Sequence, residues 1–278
     1  VESVPTTTML PIHTTNNGSS AYAEMPDSQY RQSEGLSNSM LKHFLRTPSH
    51  YKSALENPQE TTKAMTIGTA FHQMVLTPEL NLVAVMPDVD LRTNAGKKVR
   101  DDFVLLSEGK TVIKEDEYQM LSGMTESVRS NAKALQIIEA CTYKEVSLFA
   151  TLYAPQENVK CKGRIDMLDP KNGNIADLKS CEDASPAGAF KAIRNFGYDM
   201  QNVHYGKLYE ACFGELPKQF VFIFVEKEPP YAVGIYVIGA KSLERTTAQW
   251  HKAMHDFSVC QATNVWGAYS NEIVEIEV

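Results

Sequence analysis

The sequence predicts an α/β fold, a central mixed sheet flanked by helices with a helical N-terminal part, and three observations carry that reading. Apolar residues recur at helical spacing through the first half of the chain; near residue 144 the pattern turns extended; and after two more helical stretches, extended segments return before a final helix. With 278 residues, 43% of them hydrophobic, the chain can bury a sizeable core.

Residues 1–33 are rich in Thr, Ser, Asn, Pro and Gly without an apolar period, which predicts a flexible or loosely docked arm ahead of one domain over 34–278. Ser37 suits a helix N-cap before Met40, Leu41, Phe44 and Leu45, and Pro48 punctuates that helix. A second helix is expected over 66–76, burying Ile67, Phe71, Met74 and Val75, followed by an extended piece at 82–86. The polar stretch Arg92-Thr93-Asn94-Ala95-Gly96-Lys97-Lys98 then leads into a long helical region ending near Cys141. Three strands are expected at about 144–153, 159–168 and 174–180. Pro155 and the run Asp169-Pro170-Lys171-Asn172-Gly173 supply the turns of an antiparallel meander. Helices at about 185–194 and 199–213, strands at about 218–226 and 231–238, and a helix at about 240–262 complete the arrangement.

Composition excludes several function classes. The balance of 27 Lys+Arg against 34 Asp+Glu gives a net charge of −7, so any DNA contact must come from a locally basic groove. The five cysteines (Cys141, Cys161, Cys181, Cys212, Cys260) form no CxxC pair, against a zinc ribbon or disulfide framework and in favour of reduced thiols in a cytoplasmic protein. Nothing resembles a signal peptide, and no apolar run approaches the roughly 20 residues of a membrane span. A phosphate-binding Gly-rich loop ending in Gly-Lys-Ser/Thr is missing, so ATP hydrolysis is not expected. His251 and His255 have the spacing of a zinc-protease helix, but Lys252 stands where its general-base glutamate belongs.

One constellation carries chemistry. Asp166 lies on one expected strand, and Asp177 and Lys179 on the next, across a turn. Two residues apart, Asp177 and Lys179 share a strand face. Paired carboxylates hold a hard divalent cation such as Mg²⁺, which polarises a phosphate and acidifies water, and a nearby ammonium offsets developing negative charge. Acid-x-Lys triplets also occur at Asp169-Pro170-Lys171 and Glu108-Gly109-Lys110, but both sit in turn-like sequence, whereas Asp177-Leu178-Lys179 follows Ile175-Ala176 in a strand. Taken alone, the triplet reads first as a surface ion pair, and Asp166 across the turn brings catalysis level with that reading. Arg164 is two residues from Asp166 on the same strand face, and Arg92, Lys97, Lys98 and Arg100 make the densest basic cluster; with Lys160 and Lys162 these are candidate phosphate contacts, or solvated charges. His72 falls among apolar neighbours, where a histidine also serves as a packed rim residue.

Six pieces occur in a fixed order: Leu36-Ser37-Asn38-Ser39, Gly68-Thr69-Ala70-Phe71-His72, Arg92-Thr93-Asn94-Ala95-Gly96-Lys97, Gly163-Arg164-Ile165-Asp166, Asp177-Leu178-Lys179, and Gln201 with Tyr205. In this set the chain, from about Leu36 to the terminal helix, resembles the nuclease domain of RecE-type exonucleases (exonuclease VIII), in the RecB-like branch of the PD-(D/E)XK superfamily with its restriction-endonuclease-like core. The resemblance implies His72, Asp166, Asp177 and the carbonyl of Leu178 as metal ligands, Lys179 as the catalytic lysine, and Gln201 and Tyr205 as residues positioning the DNA backbone. Arg164, Arg92 and Lys97 become the expected DNA contacts. Glu145 reads either as a further carboxylate of the metal site or as a solvated strand-end residue. The resemblance further implies a Mg²⁺-dependent 5′→3′ double-strand exonuclease, with Mn²⁺ substituting, that leaves 3′ single-stranded tails for recombination. It implies a ring-shaped homo-oligomer, a single-strand-annealing partner, and phage or prophage origin in a bacterial cytoplasm. An iron–sulfur cluster, found in some relatives, is not expected, because Cys260 stands alone near the C-terminus. Alternatives are an endonuclease or single-strand nuclease on the same fold, or a catalytically silent DNA-binding module.

Overall fold

Caps and turn residues set the N-terminal elements before packing does. The computed structural model describes residues 12–15, 18–23, 25–152 and 154–277. Two short strands, β1 (His13–Thr14) and β2 (Ser20–Tyr22), precede α1 (Asp27–Gln32). Ser37 caps α2 (Asn38–Arg46) as expected, its Oγ accepting from the Met40 N–H at 3.3 Å, and Leu41 and Phe44 are buried. Pro48 ends α2 but also opens a helix that the sequence reading lacked, α3 (Pro48–Glu56). Its fixed φ suits a first helical position, and Thr47 caps the turn through the His50 N–H. Thr62 caps α4 (Lys63–Leu76), which therefore begins before residue 66, and β3 (Val83–Val85) follows.

The stretch expected as one long helical region is interrupted: α5 (Asn94–Leu106) is followed by β4 (Thr111–Ile113), α6 (Glu115–Ser130) and α7 (Ala132–Ala140). Gly109, at φ 78°, turns the chain out of α5, and the β-branched Thr111, Val112 and Ile113 pair in parallel with β3. The expected meander is β5 (Tyr143–Leu152), β6 (Val159–Asp169) and β7 (Asn174–Cys181), antiparallel throughout. Next come α8 (Pro186–Phe196) and α9 (Tyr198–Phe213), whose crossover lets β8 (Gln219–Glu226) lie parallel to β7. Antiparallel β9 (Val233–Val237) and α10 (Ala240–Thr263) complete a mixed sheet of order β1-β2-β5-β6-β7-β8-β9. Within the stretch read as an arm, β2 pairs with β5 and Ala21 is fully buried, so this part extends the sheet. Residues 1–11 lie outside the described residues.

Strand periodicity divides the core in two. Ile175, Phe220, Phe222 and Phe224 pack with Leu41, Leu208, Trp250 and Phe257 of α2, α9 and α10 on one face. Ala176, Leu178, Val221 and Ile223 pack with Phe71, Leu121 and Met124 of α4 and α6 on the other. All five cysteines are free thiols, and all but Cys260 are buried. Among the described residues no helix is long and apolar enough to cross a membrane.

One polar tie joins three elements through the first face. His204 of α9 is fully buried, accepting from the Trp250 indole N–H at Nδ1 (3.2 Å) and placing Nε2 3.3 Å from the Lys162 carbonyl. Burial outweighs the backbone hydrogen bonds and holds its pKa down to about 4. Because the folded value lies below the unfolded one, the unfolded chain binds more protons between about pH 4 and 6.5, and stability falls as pH drops through that window. His204→Gln keeps a donor and an acceptor without titrating. In denaturant titrations, it is expected to remove about 2 kcal/mol of the stability lost between pH 7 and pH 5. An unchanged pH dependence would locate the titration elsewhere.

Candidate active site

The site is built where two strands part. β6 and β7 pair only at Met167–Ala176, Leu168–Ile175 and Asp169–Asn174, whereas β7 stays in register with β8 along its whole length. Beyond Met167 the Asp166 carboxylate fills the gap, and its Oδ2 accepts the Leu178 N–H at 2.9 Å, a donor that the ladder leaves unpaired. Asp166 is thus fixed by backbone, 8% exposed, at the mouth of a fork.

Asp177 and Lys179 share one face of β7, as the strand period predicts. Lys179 Nζ lies 2.5 Å from Asp177 Oδ1, and Gln201 Nε2 donates to Asp177 Oδ2 at 2.5 Å. Burial and the charge of Asp166 push the Asp177 pKa up to about 6, against the pull of Lys179 and His72. Burial opposes the Lys179 charge, yet Asp177 and Asp166 outweigh it and hold the ammonium protonated, above its usual range.

His72, on α4, reaches the same fork from the opposite face. Its Nε2 lies 2.8 Å from the Leu178 carbonyl, and its Nδ1 lies 3.7 Å from Asp166 Oδ2 and 3.9 Å from Glu145 Oε1. Burial works against its charge, but Asp166 and then Glu145 overcome this and pull the pKa up to about 9. An imidazolium therefore occupies the centre of negative charge.

Glu145 is the residue that sequence reasoning left open, and its backbone explains why. The β5–β6 ladder passes from Lys144–Met167 to Val146–Ile165 and skips Glu145, which adopts φ 49°. This is a bulge that re-aims one side chain into the fork. No periodicity signals it, since a bulge breaks the very alternation that identifies a strand.

His72, Glu145 and Asp166 offer ligand atoms within 4.8 Å of one another, and the Leu178 carbonyl adjoins His72. Asp177 stands outside that group, turned to Lys179 and Gln201. Tyr205 lies against Gly163, where a Cβ would come within 2.9 Å of its ring, so glycine admits the tyrosine there. Arg164 has its donors engaged by β5 and the N-terminal segment: Nε on Ser147 Oγ of β5 (3.1 Å), Nη2 on the Met25 carbonyl (2.8 Å), Nη1 near Asp27 (3.4 Å). Lys162 is no free phosphate contact: it is 8% exposed and its ammonium donates to the carbonyls of Tyr30, Arg31 and Ser33, at the end of α1. Arg92 pairs with Asp90, and Lys97 is exposed on α5, whose only buried residue is Gly96. Neither is brought to the fork by a contact with it. A cleft of about 950 Å³, lined by His72, Glu145, Arg164, Lys110 and Lys144 among others, opens onto the site.

A divalent cation fits this donor set. Two carboxylates, an imidazole and a backbone carbonyl converge, a donor set of the hard oxygen and imidazole kind that divalent cations take.

Residues 37–277 match the family described as "PDDEXK-like domain of unknown function (DUF3799)". Among solved structures, the fold is similar to a "Putative exonuclease" from Eubacterium rectale: TM-score 0.61, 14% identity, 92% of this chain and 96% of that one covered. A phage related exonuclease from Haemophilus somnus 129PT aligns over 85% of this chain and 99% of its own at 14% identity, with a TM-score of 0.32. No curated protein matches the chain by sequence.

Proposed function

The chain belongs to this PDDEXK-like family, and on that premise we propose that it is a divalent-metal-dependent nuclease digesting double-stranded DNA ends 5′→3′ to leave 3′ single-stranded tails. The observation that carries the nuclease reading is the fork itself: Asp166, His72 and Glu145 gathered within 4.8 Å beside an Asp177–Lys179 pair. His72, Glu145, Asp166 and the Leu178 carbonyl, with Asp177 beside them, would hold Mg²⁺ or Mn²⁺. When bound, the ion polarises the phosphate and lowers the pKa of water.

The chain's own groups supply the rest. Asp166 cannot swing away, because the Leu178 N–H holds it. Gln201 fixes Asp177, and Asp177 fixes Lys179, so the ammonium is aimed before substrate arrives. Lys179 then offsets the charge that builds on the phosphate oxygens as water adds and the P–O bond breaks.

Polarity, duplex preference and a role in recombination are supported by the RecE-like motif order. So are a ring-shaped homo-oligomer working beside a single-strand-annealing protein, and a place in a bacterial cytoplasm. An acidic exterior around a basic channel would reconcile binding with a net charge of −7.

End-labelled duplex digested with Mg²⁺ tests the reading. Wild type is expected to release label from the 5′ end and spare a covalently closed circle, and Lys179→Ala and Asp177→Ala are each expected to slow release by at least about 100-fold. Equal activity in all three proteins would refute the site. Cutting of the circle would replace exonuclease by endonuclease.

A further inference from the structure

Lys179 rests on an aromatic ring, its Nζ lying 4.7 Å from the ring centroid of Tyr198, the first residue of α9. A second ammonium, Lys42 of α2, lies 5.8 Å from the same centroid. Tyr198 also meets Phe196 at 5.7 Å between ring centroids and stacks on Phe222 beneath it. Of this row, Phe222 is fully buried core, while Phe196 is 58% exposed and belongs to neither core.

Two features of this row stand out. Lys42 makes no ion pair among the described residues, and burial and the Lys179 charge outweigh the pull of Asp177 and Asp199 on its ammonium. Like charges facing one ring favour an anion between them. Phe196 keeps a large apolar face in water, separated from the catalytic lysine by the Tyr198 ring that both touch. A cation and an exposed ring beside a phosphate-cutting group match the two halves of a nucleotide: the cation takes a phosphate and the ring takes a base.

We infer that Lys42, Tyr198 and Phe196 form a nucleotide subsite beside the scissile phosphate. Lys42 holds the neighbouring backbone phosphate, Tyr198 spaces the two lysines, and Phe196 stacks the base of a nucleotide already unpaired from its complement. This rests on the nuclease reading and adds a substrate feature to it: the strand enters the fork single-stranded, so an unpaired end is the preferred form. A base can meet the Phe196 face only after leaving its own stack.

Steady-state cutting of an end-labelled duplex with two unpaired 5′ nucleotides, by the full chain with Mg²⁺, tests the subsite. Phe196→Ala is expected to raise KM roughly 5- to 100-fold with little change in kcat, and Phe196→Trp to restore it. Lys42→Met is expected to raise KM and to reduce the slope of log affinity against log salt by about one, with Lys42→Arg close to wild type. Both side chains are accessible enough that folding should survive, which an unchanged melting temperature checks. If wild type cuts while Phe196→Ala and Lys42→Met match it in KM and salt slope, the subsite is overturned and the nuclease reading stands. If wild type cuts no DNA, the nuclease reading falls and the subsite falls with it.

Discussion

Lys179→Met is expected to cost the metal-free protein about 3–5 kcal/mol at pH 8, beyond its effect on cutting. Asp177 is 1% exposed and already disfavoured as an anion by burial and by Asp166. Lys179 is its nearest cation, so deleting the ammonium leaves a buried carboxylate facing a second one. The sign with pH follows. Asp177 titrates above its unfolded value in the wild type, and losing Lys179 drives it higher still, so the folded variant binds the extra proton. The deficit should therefore be largest above pH 7 and shrink toward pH 5, where Asp177 is protonated. Asp177→Leu combined with Lys179→Met should recover much of the loss, because an apolar pair leaves no unpaired charge. Denaturant midpoints for the two single variants and the double variant, at pH 5 and pH 8, decide the matter. A deficit independent of pH would mean that Lys179 stabilises by packing alone.

What could be read in the sequence follows from which physics is local. Ser37 as a cap and the shared face of Asp177 and Lys179 depend on residues a few positions apart, and both stand in the structure as expected. His72 was visible only through the order of motifs, since nothing in its helix says that its imidazole meets Leu178, 106 residues away. Glu145 was ambiguous because a bulge erases strand alternation. The parting of β6 from β7 leaves no mark on either strand's composition, yet it makes the cavity that Asp166 fills. The strands of the N-terminal stretch are two and three residues long, too short to carry a period. Pro48 signals a helix end in the sequence, although one proline can end a helix and begin the next, as it does here. Arg164 and Lys162 lie on the expected strand, yet both donate to carbonyls of the N-terminal segment that the sequence gives no reason to place there.

The largest effect expected from a ligand is stabilisation by a divalent ion. Without it, His72 carries a proton between Asp166 and Glu145, with Nε2 on the Leu178 carbonyl. A ligating imidazole must be neutral and a ligating carboxylate ionised, so binding displaces protons and tightens as pH rises. With His72 at about 9 and Asp177 at about 6, both groups push in the same direction between pH 6 and pH 8. At a Mn²⁺ concentration about 100 times its Kd the gain is about 2.7 kcal/mol, or roughly 5–10 °C in Tm for a domain of this size. The shift should be clear at pH 8, much smaller at pH 6, and nearly abolished in Asp166→Asn, whose side chain can still accept the Leu178 N–H but lacks the charge. Melting curves with and without Mn²⁺ measure this without any DNA. A shift that survives Asp166→Asn would place the ion away from the fork, and a shift of equal size at both pH values would mean that the imidazole is not displaced from its proton. The first outcome would leave Lys179 and Asp177 as an ion pair in search of another chemistry, and the second would leave the ion to the carboxylates and the Leu178 carbonyl without His72.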